Sequence, residues 1–254
     1  MEDFLLTGFL SSLSPHPSSF EGALPVKPLR YDGRSAANSF PSPDIYHLLG
    51  RPDEKITTIL RHAYKLRVPV VYSPLDTTAM TFSGMERYVS AIHLNSRIEQ
   101  RELAKTAYKG KGVLIPNALT TTLITPQAMA GQLHQLYSEV LKLSEEKIRK
   151  EIASKVPQAE EPLQVICQQV LYARLLIARR RLTRRFLSDL ASYLVQTPYD
   201  EDKLQELLLA LKVYPLMGRL LQLMSETARL TEGFMPIPPL DDKAANHIRQ
   251  HLEE

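Results

Sequence analysis

At 254 residues and 44% hydrophobic composition, the chain is long enough for one large domain or two small ones and can bury a sizeable core without staples. Its single cysteine, Cys167, excludes an internal disulfide and any CxxC metal or redox motif, and a formal charge of +3 leaves basicity to local clusters. No run approaches 18 consecutive apolar residues, no Asn-x-Ser/Thr acceptor occurs, and Glu2 and Asp3 stand where a secretory signal carries positive charge; a cytoplasmic protein without a transmembrane segment is expected.

Residues 1–43 combine six prolines with many serines and show no sustained period of 3.6 or 2, so they read as an extended arm. Its apolar residues are too many for a typical disordered tail, so Phe4, Leu5, Phe9, Leu10 and Phe20 are expected to dock, either along the arm's own domain or on a partner or second copy. Asp44 to Leu49 reads as a short helical turn. Pro52, Asp53 and Glu54 then open a helix to about Arg67 that lines one side with Ile56, Ile59, Leu60, Ala63 and Tyr64. Pro69 and Pro74 confine Val68 to Tyr72 to an extended segment at a sheet edge. Ser83-Gly-Met-Glu86 has the form of a capping box and predicts a helix to Tyr108 that stops at Gly110. Val113 to Ile124 is a candidate hairpin or a pairing partner for the strand near Val70.

Thr125 and Pro126 open a helix to about Val156 that buries Met129, Leu133, Leu136, Tyr137, Val140, Ile148 and Ile152. Pro162 opens the longest candidate, which meets no Gly or Pro before Pro198 and would be a rod of about 50 Å to Gln196. At about 100° per residue its leucine face spans an arc of about 80°, and Arg174, Arg180, Arg181, Arg184 and Arg185 share another of about 140°. Thr197-Pro198 starts a third long helix, broken or kinked at Pro215 and closed by Gly233, with Leu204, Leu207, Leu208 and Leu211 on one piece and Leu216, Leu220, Leu223 and Met224 on the other. Residues 234–254 read as a Pro-rich, exposed tail with a frayed polar helix.

The expected fold class is therefore mainly α: an arm over 1–43, a helical part with one small β element over 44–124, a helical bundle over 125–233 and the tail. Neither GxGxxG nor GxxxxGK[ST] occurs, and Lys109-Gly-Lys-Gly112 is read as a helix stop in preference to a small anion nest. The seven histidines are scattered singly except His247 and His251, which share a helical face at a solvated end without a third ligand. Cys167, among Val165, Ile166, Val170 and Leu171, reads as a small core residue, and the acids cluster in helix first turns. No catalytic, metal or cofactor constellation is expected, and the chain reads as a non-enzyme. Its five arginines on one arc are candidates for binding phosphate, an acidic protein or an anionic membrane surface, or for a solvated face, while the absence of tryptophan and of aromatics on that arc argues against base stacking of the single-strand type. The leading expectation is a non-catalytic structural or adaptor subunit of a larger assembly, through protein partners or self-association. The alternative is a basic helical nucleocapsid-like or matrix-like protein that binds nucleic acid without sequence specificity.

Overall fold

The computed structural model describes residues 5–11, 26–30, 43–50, 54–74, 84, 86–116 and 124–253; within 5–11, 26–30 and at 55 it describes the backbone. These residues are mainly helical and fall into two compact units that divide between Glu146 and Lys147. The change of packing thus lies some twenty residues beyond the boundary read at 124 and 125, inside a continuous helix.

The first unit is built on a parallel sheet of β1 (Leu5–Ser11), β2 (Val26–Arg30), β3 (Ile45–Gly50), β4 (Val70–Pro74), β5 (Ala91–Leu94) and β6 (Lys111–Leu114), in the order β2-β1-β3-β4-β5-β6. Two stretches of the expected arm are therefore strands, with Leu5, Phe9 and Leu10 on β1, while Phe4 and Phe20 lie outside the described residues. Side chains alternate across the sheet. Leu48, Val70, Tyr72, Ile92 and Leu94 pack with α1 (Glu54–Lys65) and α2 (Arg97–Ala104), while Ile45, Val71 and Ala91 pack with the start of α3 (Pro126–Lys155). Strands buried on both faces carry apolar runs without alternation, the composition seen in IYHLLG, VVYSP and AIHL.

That double burial accounts for the first two differences from the sequence expectation. Asp44 to Leu49 contributes to strand β3 and is no helical turn, and Val70 to Pro74 is an interior strand between β3 and β5, with Pro74 at its end. The single helix from Ser83 to Tyr108 is replaced by a 3-10 turn at Glu86–Tyr88, then β5, then α2. Ser83 lies outside the described residues, and the same S-x-x-E pattern operates at Ser96, whose hydroxyl accepts from the Glu99 amide at 3.2 Å while the Glu99 carboxylate accepts from the Asn95 amide at 2.6 Å. Helix α2 ends at Ala104, so Gly110 is no helix stop; a Cβ there would collide with the Tyr108 ring. Lys111 to Leu114 pairs with β5 and not with the strand at Val70. On α1, Ile56, Ile59, Leu60 and Ala63 are buried as the spacing predicts, but Tyr64 is exposed and meets Tyr88 edge to face at 5.0 Å.

The second unit packs α4 (Glu161–Arg179), α5 (Arg184–Gln196), α6 (Glu201–Ala210), α7 (Tyr214–Thr227) and α8 (Lys243–Gln250) around one apolar core that includes Leu163, Ile166, Leu190, Leu208, Met217 and Leu220. The long helix from Pro162 is interrupted. Arg180 takes a left-handed conformation (φ 55°), its amide donates to the Ile177 carbonyl and that of Arg181 to Leu176, so α4 closes and Thr183 caps α5 through the Phe186 amide. Helix α1 closes the same way at Arg67 and α6 at Lys212, each with a cation in the left-handed position where glycine is commonest. Pro215 marks the break between α6 and α7. The expected frayed tail is packed: Ile237, Ala245 and Ile248 are buried, and Arg219 holds Asp242, the α8 N-cap, through both carboxylate oxygens at 2.7–3.0 Å. That pairing, with the capping amides, holds the Asp242 carboxyl down to about 2.

Candidate functional site

Two places in the structure concentrate polar chemistry. The first is sealed inside the sheet unit. On the α3 side of the sheet the polar residues His47 of β3, Ser73 of β4 and His93 of β5 replace hydrocarbon, and all three are nearly inaccessible. The Tyr137 hydroxyl of α3 lies 2.5 Å from His47 Nδ1, His47 Nε2 is 2.7 Å from Ser73 Oγ, Ser73 Oγ is 2.6 Å from His93 Nδ1, and His93 Nε2 is 3.0 Å from the Ile115 carbonyl.

The far end of this chain sets its direction. A carbonyl only accepts, so His93 must donate from Nε2, which leaves Nδ1 to accept from the Ser73 hydroxyl. Ser73 Oγ must then accept from His47 Nε2–H, and His47 Nδ1 accepts from Tyr137. Both imidazoles are neutral in this arrangement. Burial, reinforced by the neighbouring His93, holds His47 well below its ordinary value, and burial lowers His93 against the opposing pull of the Ile115 carbonyl. Burial likewise pushes the Tyr137 phenol far up. The chain terminates on a peptide carbonyl, which carries no proton onward, and links three strands to one helix. Its members lie 20 to 90 residues apart, and the sequence signal for them is slight: a polar side chain within each apolar strand run.

The second place is on the helical unit, at the corner where α4 turns into α5. The break at Arg180 distributes the predicted arginines: Arg174 stays on α4, Arg180 and Arg181 occupy the turn, and Arg184 and Arg185 open α5. The single arc of about 140° expected on a continuous helix does not form, and Arg180, Arg181, Arg184 and Arg185 instead fall within the turn and the first turn of the next helix. Arg174, Arg184 and Arg185 are exposed. Arg181 pairs with Glu253 at 3.4 Å, and Glu253 is fixed by backbone hydrogen bonds to Leu182 and Arg184. Arg185 lies 4.0 Å from Asp189, an exposed pair of little strength. The α8 end adds His247 and His251, whose rings meet edge to face at 4.7 Å; burial, Arg180 and His247 together lower the His251 value.

Beside this corner runs an open cleft of about 470 Å³, walled by Tyr172 of α4, Phe186 and Tyr193 of α5 and Arg149 of α3. The rings of Tyr172 and Phe186 stand 6.2 Å apart at 44°. Sequence reasoning finds the arginines and misses this wall, because the aromatics are adjacent only once the chain has turned at Arg180. Cys167 is fully buried and burial pushes its thiol up to about 11, as a core residue requires. Among the described residues there is no group of three or more His, Cys, Asp or Glu placed to hold a metal, and no helix long and apolar enough to cross a membrane. Comparison with protein-family models, with curated proteins and with solved structures returned no match.

Proposed function

We propose that this chain is a non-catalytic adaptor subunit, acting in the cytoplasm, whose helical unit holds an acidic macromolecular partner on the arginine corner. The observation that carries the reading is electrostatic. The first turn of α5 contains no acid and two exposed arginines, Arg184 and Arg185, at the positive end of the helix dipole. Each cation so placed costs about 0.3–1 kcal/mol, and Arg180 and Arg181 crowd the same turn. Helix stability alone favours the opposite charge at these positions, and an anionic partner converts the cost into attraction, with guanidinium forks suited to bidentate carboxylate or phosphate contacts. The Arg181 to Glu253 pair supports the reading further, because it fixes the corner to the C-terminal segment and presents the remaining cations on a defined surface.

The test is to change Arg180, Arg181, Arg184 and Arg185 to Gln together in the full chain and measure assembly by light scattering and co-purification. The expected result is loss of the partner with helical circular dichroism retained and a melting temperature lowered only by the loss of the Arg181 to Glu253 pair. Retention of every partner by the folded variant would overturn the reading.

A further inference from the structure

We propose that the acidic partner is a single-stranded nucleic acid, with its phosphates on the arginine corner and its bases in the cleft between α4 and α5. This rests on the adaptor reading and specifies the partner's chemistry. A strand that is to be held regardless of sequence needs two things in close succession: fixed cations along the sugar-phosphate path and ring faces on which unpaired bases stack. Helix α4 brings Tyr172 toward the corner and α5 carries Phe186 and Tyr193 away from it, so the aromatic wall begins one residue after Arg185. All three rings are half-buried, held by the helices while lining an open space.

The cleft is of a size that accommodates a small planar ligand, since pockets for such groups run from about 300 to 1,000 Å³. Gln168 and Gln169 on the α4 side offer amide donors and acceptors to base edges of any kind. A wall of aromatic rings offers stacking to a flat heterocycle, which the flexible aliphatic stems of acidic side chains lack. A duplex fits less well, because its bases are already stacked on one another and only its backbone could reach the corner. Charge beside the cleft favours a polyanion: the one carboxylate among the described lining residues, Asp189, is exposed and lies 4.0 Å from Arg185, and Arg184 is exposed on the same first turn of α5.

The proposal is tested by fluorescence anisotropy on the full chain with four probes of matched length: a mixed-sequence single strand, the same strand as a duplex, an abasic sugar-phosphate strand, and polyglutamate. The expected result is that the single strand binds at least about tenfold tighter than the duplex and the abasic strand, the worth of one or more stacked bases. Tyr172→Ala with Tyr193→Ala should abolish that preference while leaving abasic binding unchanged, and Tyr172→Phe with Tyr193→Phe should restore it. Arg184→Gln with Arg185→Gln should weaken all four probes and flatten the salt dependence by about one unit of log-log slope for each phosphate no longer neutralised. Ultraviolet crosslinking of the unmodified protein to a thiouridine strand should map to Tyr172, Phe186 or Tyr193, a readout independent of whether a variant folds. Equal affinity for the abasic and mixed strands, or crosslinks elsewhere, would overturn base binding and leave the adaptor reading standing. Binding of polyglutamate alone would also overturn it, in favour of an acidic protein partner. If no probe binds and the quadruple arginine variant assembles normally, both readings fail.

Discussion

In the sheet unit four polar side chains, Tyr137, His47, Ser73 and His93, are hydrogen-bonded in series within the core, whereas the buried core of the helical unit holds hydrocarbon and sulfur and keeps its charges at the surface. The difference bears on how each fold is specified. A leucine and methionine core accepts many arrangements of equal volume. A directed chain accepts one: sliding β4 by a single residue would turn Ser73 to the opposite face and orphan a nitrogen on each histidine. The parallel sheet, whose strands are apolar on both faces and would otherwise slide at little cost, thus carries its register in four polar side chains.

The contrast can be broken first on the helical side. Leu220→Ala, at a fully buried site, should cost about 2–5 kcal/mol in chemical denaturation, while Leu220→Met should cost less than about 1.5 kcal/mol; Leu208 should behave alike. An Ala variant within about 0.5 kcal/mol of the parent would place the leucine outside the core.

On the sheet side, loss of a single oxygen should matter as much as loss of a large side chain does in the helices. Ser73→Ala orphans His47 Nε2–H and His93 Nδ1, at about 1–3 kcal/mol for each group, and Tyr137→Phe orphans His47 Nδ1 at a similar cost. Hydrogen exchange read separately over β3–β5 and α6–α7 should show the loss in the strands. Equal loss in both places would mean that the two units unfold together.

Acid should distinguish the units next. Both buried histidines have folded-state values below 6.5, so the unfolded chain binds more protons once the pH falls below that value. Stability is therefore full above about pH 6.5 and declines as pH falls, with a slope approaching about 1.36 kcal/mol per pH unit for each histidine. His47→Gln with His93→Gln should remove this slope. Asp242 acts later: its value is depressed to about 2, so its contribution is present above the ordinary carboxylate range and lost as pH falls through about 2. A melting temperature flat from pH 7.5 to 5.5 would refute the neutral, buried assignment of the histidines.

The smallest effect concerns the helix ends. Arg67 and Lys212 sit in the left-handed region at a cost of about 1–2 kcal/mol, partly offset by about 0.3–1 kcal/mol of attraction to the helix C-terminus. Arg67→Gly or Lys212→Gly should therefore raise stability by about 1 kcal/mol or less. A destabilised glycine variant would show that the long side chain packs for more than the strain costs.

These same positions explain part of what the sequence conceals. A glycine at 180 would have announced the break between α4 and α5, whereas arginine is a good helix former, and the stretch from Pro162 to Gln196 reads as unbroken. Helices that bury one stripe, α1 and the first part of α3, are largely legible, because Ile56, Leu60, Leu133 and Tyr137 fall on the expected face and Tyr64 at the end of α1 departs from it. Strands of four to six residues buried on both faces have no stripe to read. IYHLLG matches a helical turn as well as it matches β3, and a capping pattern occurs at both Ser83 and Ser96. The arginines of the candidate site are visible in the sequence as a cluster, while its aromatic wall and the histidine chain require the fold that joins residues far apart along the chain.

Cys167 has a practical consequence for all of these measurements. With no accessible surface and a thiol pushed up to about 11, it is almost entirely protonated at neutral pH and closed to reagents. The chain also contains no tryptophan. A cysteine introduced on the surface would thus be the one position taking a maleimide dye, and a tryptophan introduced beside either core would be the sole indole emitter. The wild-type chain offers a background free of indole emission and of an accessible thiol, with no native residue to be removed first.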